Sequence, residues 1–233
     1  MSKNKYELKL RRPLLGTRIR MMADVAAAFK YLHSFNPPII HRNLRTTNIL
    51  VNSRLQVKVS DLGLNAAIMH PTTITSAAQN MWTAPEVMLG RPHTSESDVY
   101  SFGIVLWEAI TCQVPFANKS SGFMDWVPLV VEGTRPALPS GSSYPPWSVL
   151  LIQAAWDGNP RKRPTFAKIL EAFNNEATPE VLAKLGRSEG TDFFEQPRMH
   201  FYQHYLKNNN IYLCFFSCSD GCDAFDLGKT TQS

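Results

Sequence analysis

The chain has 233 residues, 44% of them hydrophobic and 18% charged, with a formal net charge of +5. This is enough for one globular domain with a sizeable core, and sixteen prolines and twelve glycines argue for many loops rather than a simple helical bundle. No apolar run approaches the ~18 residues that cross a bilayer, so no transmembrane segment is expected.

The first twenty residues hold seven Lys or Arg against one acid, Glu7. Residues 1–12 read as a solvated basic lead-in rather than a nucleic-acid patch, and no nucleic-acid partner is expected. The lead-in is Arg-rich and acid-poor, as transit peptides are, but lacks their serine content.

Met21, Val25, Phe29 and Leu32 recur at helical spacing and predict an amphipathic helix from about Arg18 to His33. Pro37 and Pro38 then stop it. Two short apolar runs, Ile49–Val51 and Val57–Val59, flank "NSRLQ" and predict a small hairpin. Asp61 to Glu86 carries no Lys or Arg and reads as a long loop of functional kind.

"SDVYSFGIVLWEAIT", Ser97 to Thr111, is apolar nearly all round and predicts a buried central helix with Ser97 as N-cap. "SSGFMDWVPLVV" predicts a helix shortened by Pro128. Its Phe123 and Trp126 suit either core packing or a partner-docking spot. Trp147–Trp156 predicts another helix. "RPTFAKILEAF" predicts one more, with Pro164 in its first turn and Phe166, Ile169, Leu170 and Phe173 on one face.

After about Asn175 the character changes. "ATPEVLAKLG" suggests a short helix, and residues 176–233 form a tail of unassigned role. Cys214, Cys218 and Cys222, with His200 and His204 upstream, leave open a metal site, a sticky apolar segment or S-acylation. Four cysteines do not make a disulfide framework here, so a reduced, cytoplasmic setting is expected.

The motifs that carry chemistry begin with "HRNLRTTNILV", His41 to Val51. Asn48 follows Asn43 by five residues, and Asp61-Leu62-Gly63 begins thirteen beyond Asn48. Ala84-Pro85-Glu86, "SDVYSFGIVLWE" and "WDGNPRKRPTF" come next in order. This order and spacing resemble the protein kinase family over roughly residues 10 to 175. "YLHS", "PPIIHR", "VVEGTRPALP" and "RPTF" look most like its tyrosine-kinase-like and tyrosine kinase groups.

The resemblance implies a mainly α (α+β) fold: a kinase-like C-terminal lobe over residues 13–175 with a small β hairpin. The family's amino-terminal lobe is expected to be absent, since about forty residues precede His41 and Gly16 is the lone glycine among them. ATP and magnesium are the implied cofactors, with Asn48 and Asp61 matching the metal ligands and Gly63 completing their motif. Asn43 stands where the family carries the catalytic aspartate. An amide oxygen has no useful basicity, and general-base assistance is worth about 10²–10⁴ in rate.

Arg45 stands where many kinases carry a lysine near the transferred phosphate. Arg42 matches an arginine that pairs with a phosphorylated activation loop, for which Thr72, Thr73, Thr75 and Ser76 are candidate phosphosites. A purely structural Arg42 is the alternative. His41, Leu62, Glu86, Asp98 and Arg163 match architectural positions, with Leu62 expected to pack beneath His41 and Glu86 to pair with Arg163.

The sequence therefore implies a kinase-derived chain acting on protein Ser, Thr or Tyr, impaired at Asn43. It acts as a signalling pseudokinase whose partners are other signalling proteins, a kinase among the candidates. An active kinase and a truncated product with only an interaction role are the alternatives.

Overall fold

Nineteen residues, Leu15–His33, form helix α1, which starts three residues before the expected Arg18. Leu15, Ile19, Met22, Val25, Ala26 and Phe29 are all buried, so one stripe of the helix builds the core. Arg18, one of the seven basic residues among the first twenty, belongs to this helix rather than to a solvated lead-in. Its side chain is buried, and Nη1 donates to Cys112 Sγ at 2.9 Å.

The computed structural model describes residues 13–52, 54–62, 81–116, 123–139, 144–188, 203–205 and 211–214, the side chains of 123–126, 185–188 and both last segments excepted. Strands β1 (Ile49–Val51) and β2 (Val57–Val59) form the expected antiparallel hairpin, with Val51 opposite Val57. Asn52 Oδ1 closes its turn by accepting from the N–H groups of Arg54 (3.0 Å) and Gln56 (2.9 Å).

The sheet is larger than a hairpin. Further along the chain, β3 (Gln203–Tyr205) and β4 (Ile211–Cys214) extend it to four strands in the order β2-β1-β4-β3. Local pattern could not show this, because the pairing joins β1 to residues about 160 positions away.

Helix α2 (Pro85–Met88) is one turn that begins in the last two residues of the segment expected to be loop, with proline at its start. Helix α3 (Ser95–Thr111) runs through the centre, buried from Ser97 to Ile110. Its cap is Thr94 rather than Ser97. Ser97 is the third residue of the helix, and its Oγ accepts from the Thr94 N–H at 3.0 Å.

Helix α4 (Phe123–Val131) continues through Pro128, which does not shorten it. Helix α5 (Pro146–Ala155) crosses α3 at Gly103, where a Cβ would stand 3.0 Å from Ala155 Cβ and 3.1 Å from the Trp156 nitrogen. Helix α6 (Phe166–Glu176) starts after the Thr165 cap, so Pro164 lies outside it. Helix α7 (Pro179–Ser188) follows and lies against α1.

Phe166 joins the layers. Its ring is 4.9 Å from Phe29 of α1 and 5.3 Å from Phe102 of α3, and 5.2 Å from the His33 ring. The architecture is mostly helical with one small sheet, and residues 48 and 61 flank the open end of its hairpin.

Candidate functional site

The loop from His41 to Asn48 is held by one carboxylate. Asp98, buried in the first turn of α3, accepts from the His41 N–H (2.8 Å, Oδ2) and the Arg42 N–H (2.9 Å, Oδ1). His33 Nε2 donates to the same Oδ2 at 3.0 Å. Arg42 has φ 68°, a left-handed conformation costing roughly 1–2 kcal/mol for a side-chain-bearing residue. Hydrogen bonds to a charged acceptor are worth about 1.5–3 kcal/mol, enough to hold the loop there.

His41 is buried and fixed at both ring nitrogens. Nδ1 accepts from the Asn43 N–H at 3.3 Å, which assigns the ring proton to Nε2, and Nε2 donates to the Ser60 carbonyl at 3.0 Å. Burial pushes the imidazole below its usual range, against the pull of Asp98. Phe29 lies 5.3 Å away across its ring. Leu62, expected to pack beneath His41, is 44% exposed, and Phe29 supplies the apolar contact to the ring.

Asn48 is buried, and its Nδ2 donates to the Asn43 carbonyl at 2.8 Å. That bond orients the amide and leaves Oδ1 as a free-facing oxygen donor. The hairpin brings Asp61 alongside, since the Ser60 N–H bonds the Asn48 carbonyl at 2.8 Å. Asp61 is exposed, with φ 60°. An amide oxygen and a carboxylate fit a hard divalent cation.

Arg163 makes a bidentate pair with Glu86 (2.6 and 2.8 Å), tying α2 to the segment before α6. Its remaining donors reach the carbonyls of Asp157 (2.8 Å) and Glu96 (2.9 Å). Gly63, Thr72, Thr73, Thr75 and Ser76 lie outside the described residues, as do Cys218, Cys222 and His200 and the side chains of Phe123, Trp126, His204 and Cys214.

Residues 5–173 match the family described as protein tyrosine and serine/threonine kinase. The chain belongs to the protein kinase family. It is 41% identical over 155 residues to "Probable serine/threonine-protein kinase drkD" of Dictyostelium discoideum, covering 66% of this chain and 12% of that protein. It is 34% identical over 194 residues to the dual specificity protein kinase shkD of the same organism, covering 82% and 24%. Cyclic GMP-binding protein C, also from Dictyostelium discoideum, is 36% identical over 166 residues, covering 67% and 6%. The chain thus spans a quarter or less of the length of these relatives.

A second network, which the motifs do not announce, lies beside the Asn43 loop. Glu108, buried in α3, accepts from Trp82 Nε1 at 2.6 Å and from Thr46 Oγ1 at 3.4 Å. It joins the loop of Asn43 to the segment before α2. Burial pushes its carboxyl up to about 8. The available signal was its position as the lone charged residue between Val99 and Thr111. His33 was equally legible as a histidine eight residues before His41.

A pocket opens between these networks, lined by Arg42, Asn43, Arg45, Trp82, Thr83 and His93 among others. Two arginines at its wall suit an anion, and Asn43 shares the wall. Among the described residues no helix is long and apolar enough to cross a membrane.

Proposed function

We propose that this chain is a pseudokinase-type signalling module: a kinase-derived lobe impaired in phosphoryl transfer that binds other signalling proteins. Asn43 carries the reading. Its loop has the hydrogen-bonded frame of a working site, with Asp98 holding His41 and Arg42, yet an amide replaces the proton acceptor.

Asn48 and Asp61 are the groups that would hold magnesium, with ATP as the nucleotide. The oriented Asn48 amide and the exposed Asp61 carboxylate support that assignment. Magnesium would neutralise phosphate charge there. Arg45 would face the transferred phosphate, and Arg42 would receive a phosphate on Thr72, Thr73, Thr75 or Ser76 in the pocket it lines. The tyrosine-kinase-like group is the proposed branch, from "WTAPE" and the motifs around it.

A residual kinase activity is the second reading, favoured by the retained Asn48–Asp61 pair. Phosphate transfer and melting with magnesium and ATP, measured on the purified chain and on Asn43→Asp, separate the two. No turnover in the unmodified chain is expected. Turnover there would defeat the impaired reading, whereas activity confined to Asn43→Asp would place the defect at the missing carboxylate.

A further inference from the structure

We propose, resting on the reading of Arg42 as a phosphate receiver, that His93 is the third cation of the pocket shared with Arg42 and Arg45, and that it makes the pocket take a phosphomonoester dianion more tightly as pH falls.

The wall of the pocket carries positive charge that nothing balances. Arg42, Arg45 and His93 line it beside Asn43, Trp82 and Thr83. The nearby acids already have partners. Asp98 accepts from the His41 and Arg42 N–H groups and from His33. Glu86 is held at both oxygens by Arg163. The Glu108 carboxyl, pushed up to about 8, is neutral below that and bonded to Trp82 and Thr46. By contrast, among the described residues the Arg42 guanidinium and the His93 ring have no hydrogen-bond or ion-pair partner. Unpaired cations around a concavity suit an anion.

Size and polarity narrow the ligand. The pocket holds about 280 Å³ of space, the open solvent at its mouth included. Sites that engulf a whole small ligand span ~300–1,000 Å³, so this one fits a single headgroup rather than a nucleotide. Ser97 and Ser101 also line it, but their hydroxyls donate to the Thr94 and Trp82 carbonyls, each at 2.7 Å. Charge is therefore what the pocket offers. A phosphorylated side chain, such as Thr72, Thr73, Thr75 or Ser76 would present, carries about −1.5 to −2 at neutral pH.

His93 adds a charge that depends on pH. The residue stands at the exposed rim, in the loop between α2 and α3. Desolvation at the pocket wall holds its ring below the ordinary 6.5, and Arg42 of the loop adds to this. Asp98 of α3 and Glu86 of α2 pull the other way. The empty pocket thus has a mostly neutral ring at pH 7. A dianion beside the ring favours its charged form, so binding takes up a proton and affinity rises with acidity.

The test is binding of inorganic sulfate, whose charge is constant from pH 5.5 to 8, to the full chain, followed by NMR of the histidine rings. Sulfate should bind at least about fivefold more tightly at pH 5.5 than at pH 8, and should move the His93 titration to higher pH. Inorganic phosphate should compete with it. His93→Gln should bring the two affinities within about twofold of each other, and Arg42→Gln should weaken binding at both pH values. Both side chains are exposed, so neither substitution touches the core. An unchanged pH ratio in His93→Gln overturns the role of His93 while leaving the Arg42 pocket standing. Sulfate that phosphate cannot displace overturns the phosphoryl assignment. No binding, or binding that Arg42→Gln leaves untouched, defeats the Arg42 reading and the proposal together.

Discussion

Arg163 grips Glu86 through two parallel bonds, Nη1 to Oε1 at 2.6 Å and Nη2 to Oε2 at 2.8 Å, at a site where both side chains are buried. The pair fixes where α2 meets the turn before α6, so its loss should be felt locally as well as globally.

Removing one partner of such a pair strands the other charge in the interior. Arg163→Met is expected to cost about 3–5 kcal/mol, and Glu86→Leu with Arg163→Met together distinctly less. Urea unfolding of the two variants beside the unmodified chain checks this. A double variant as unstable as the single one would show that geometry rather than charge is what the pair supplies.

Asp98 faces three donors from two elements: the His41 and Arg42 N–H groups and His33 Nε2. Asp98→Ala leaves all three without an acceptor and releases the left-handed Arg42. The expected loss is about 2 kcal/mol or more, with fast amide exchange at His41 and Arg42. Asp98→Asn keeps the shape but turns an NH₂ toward at least one of those donors, so most of the loss should persist. Protection at both amides in Asp98→Ala would assign the loop's conformation to packing instead.

Glu108 gives the chain a pH dependence on the alkaline side. Its carboxyl titrates near 4.5 when unfolded and is pushed up to about 8 by burial in the fold. Between those values the folded state holds a proton that the unfolded state releases. Stability is therefore complete below about 4.5 and falls as pH rises through about 8. Glu108→Gln removes this decline while keeping an oxygen for Trp82. His41 acts in the opposite sense. Its folded value lies below 6.5, so its contribution is lost as pH falls from 6.5. Urea midpoints from pH 5 to 9 should fall between about 6.5 and about 8 and level off above that, and do so only when Glu108 is present.

Much of the fold could be read locally. The stripe of α1, the apolar length of α3 and the face of α6 each follow from periodicity. The hairpin follows from two apolar runs and a polar turn. Errors were of boundary and cap. Ser97 looks like a cap in isolation, but Thr94 precedes it with a free N–H that the serine oxygen can take. Leu62 looks like a packing residue from its place in the motif, yet its exposure depends on neighbours that the motif does not contain.

The sequence by itself determined the family and put an amide rather than a carboxylate at residue 43, because chain order and side-chain chemistry are written in it directly. Only the tertiary structure decided that Glu108 joins Thr46 to Trp82 and that the tail completes the sheet through β4. Those contacts join residues 26 to about 160 positions apart, and which buried acid or open strand edge finds which partner is settled by how the elements pack.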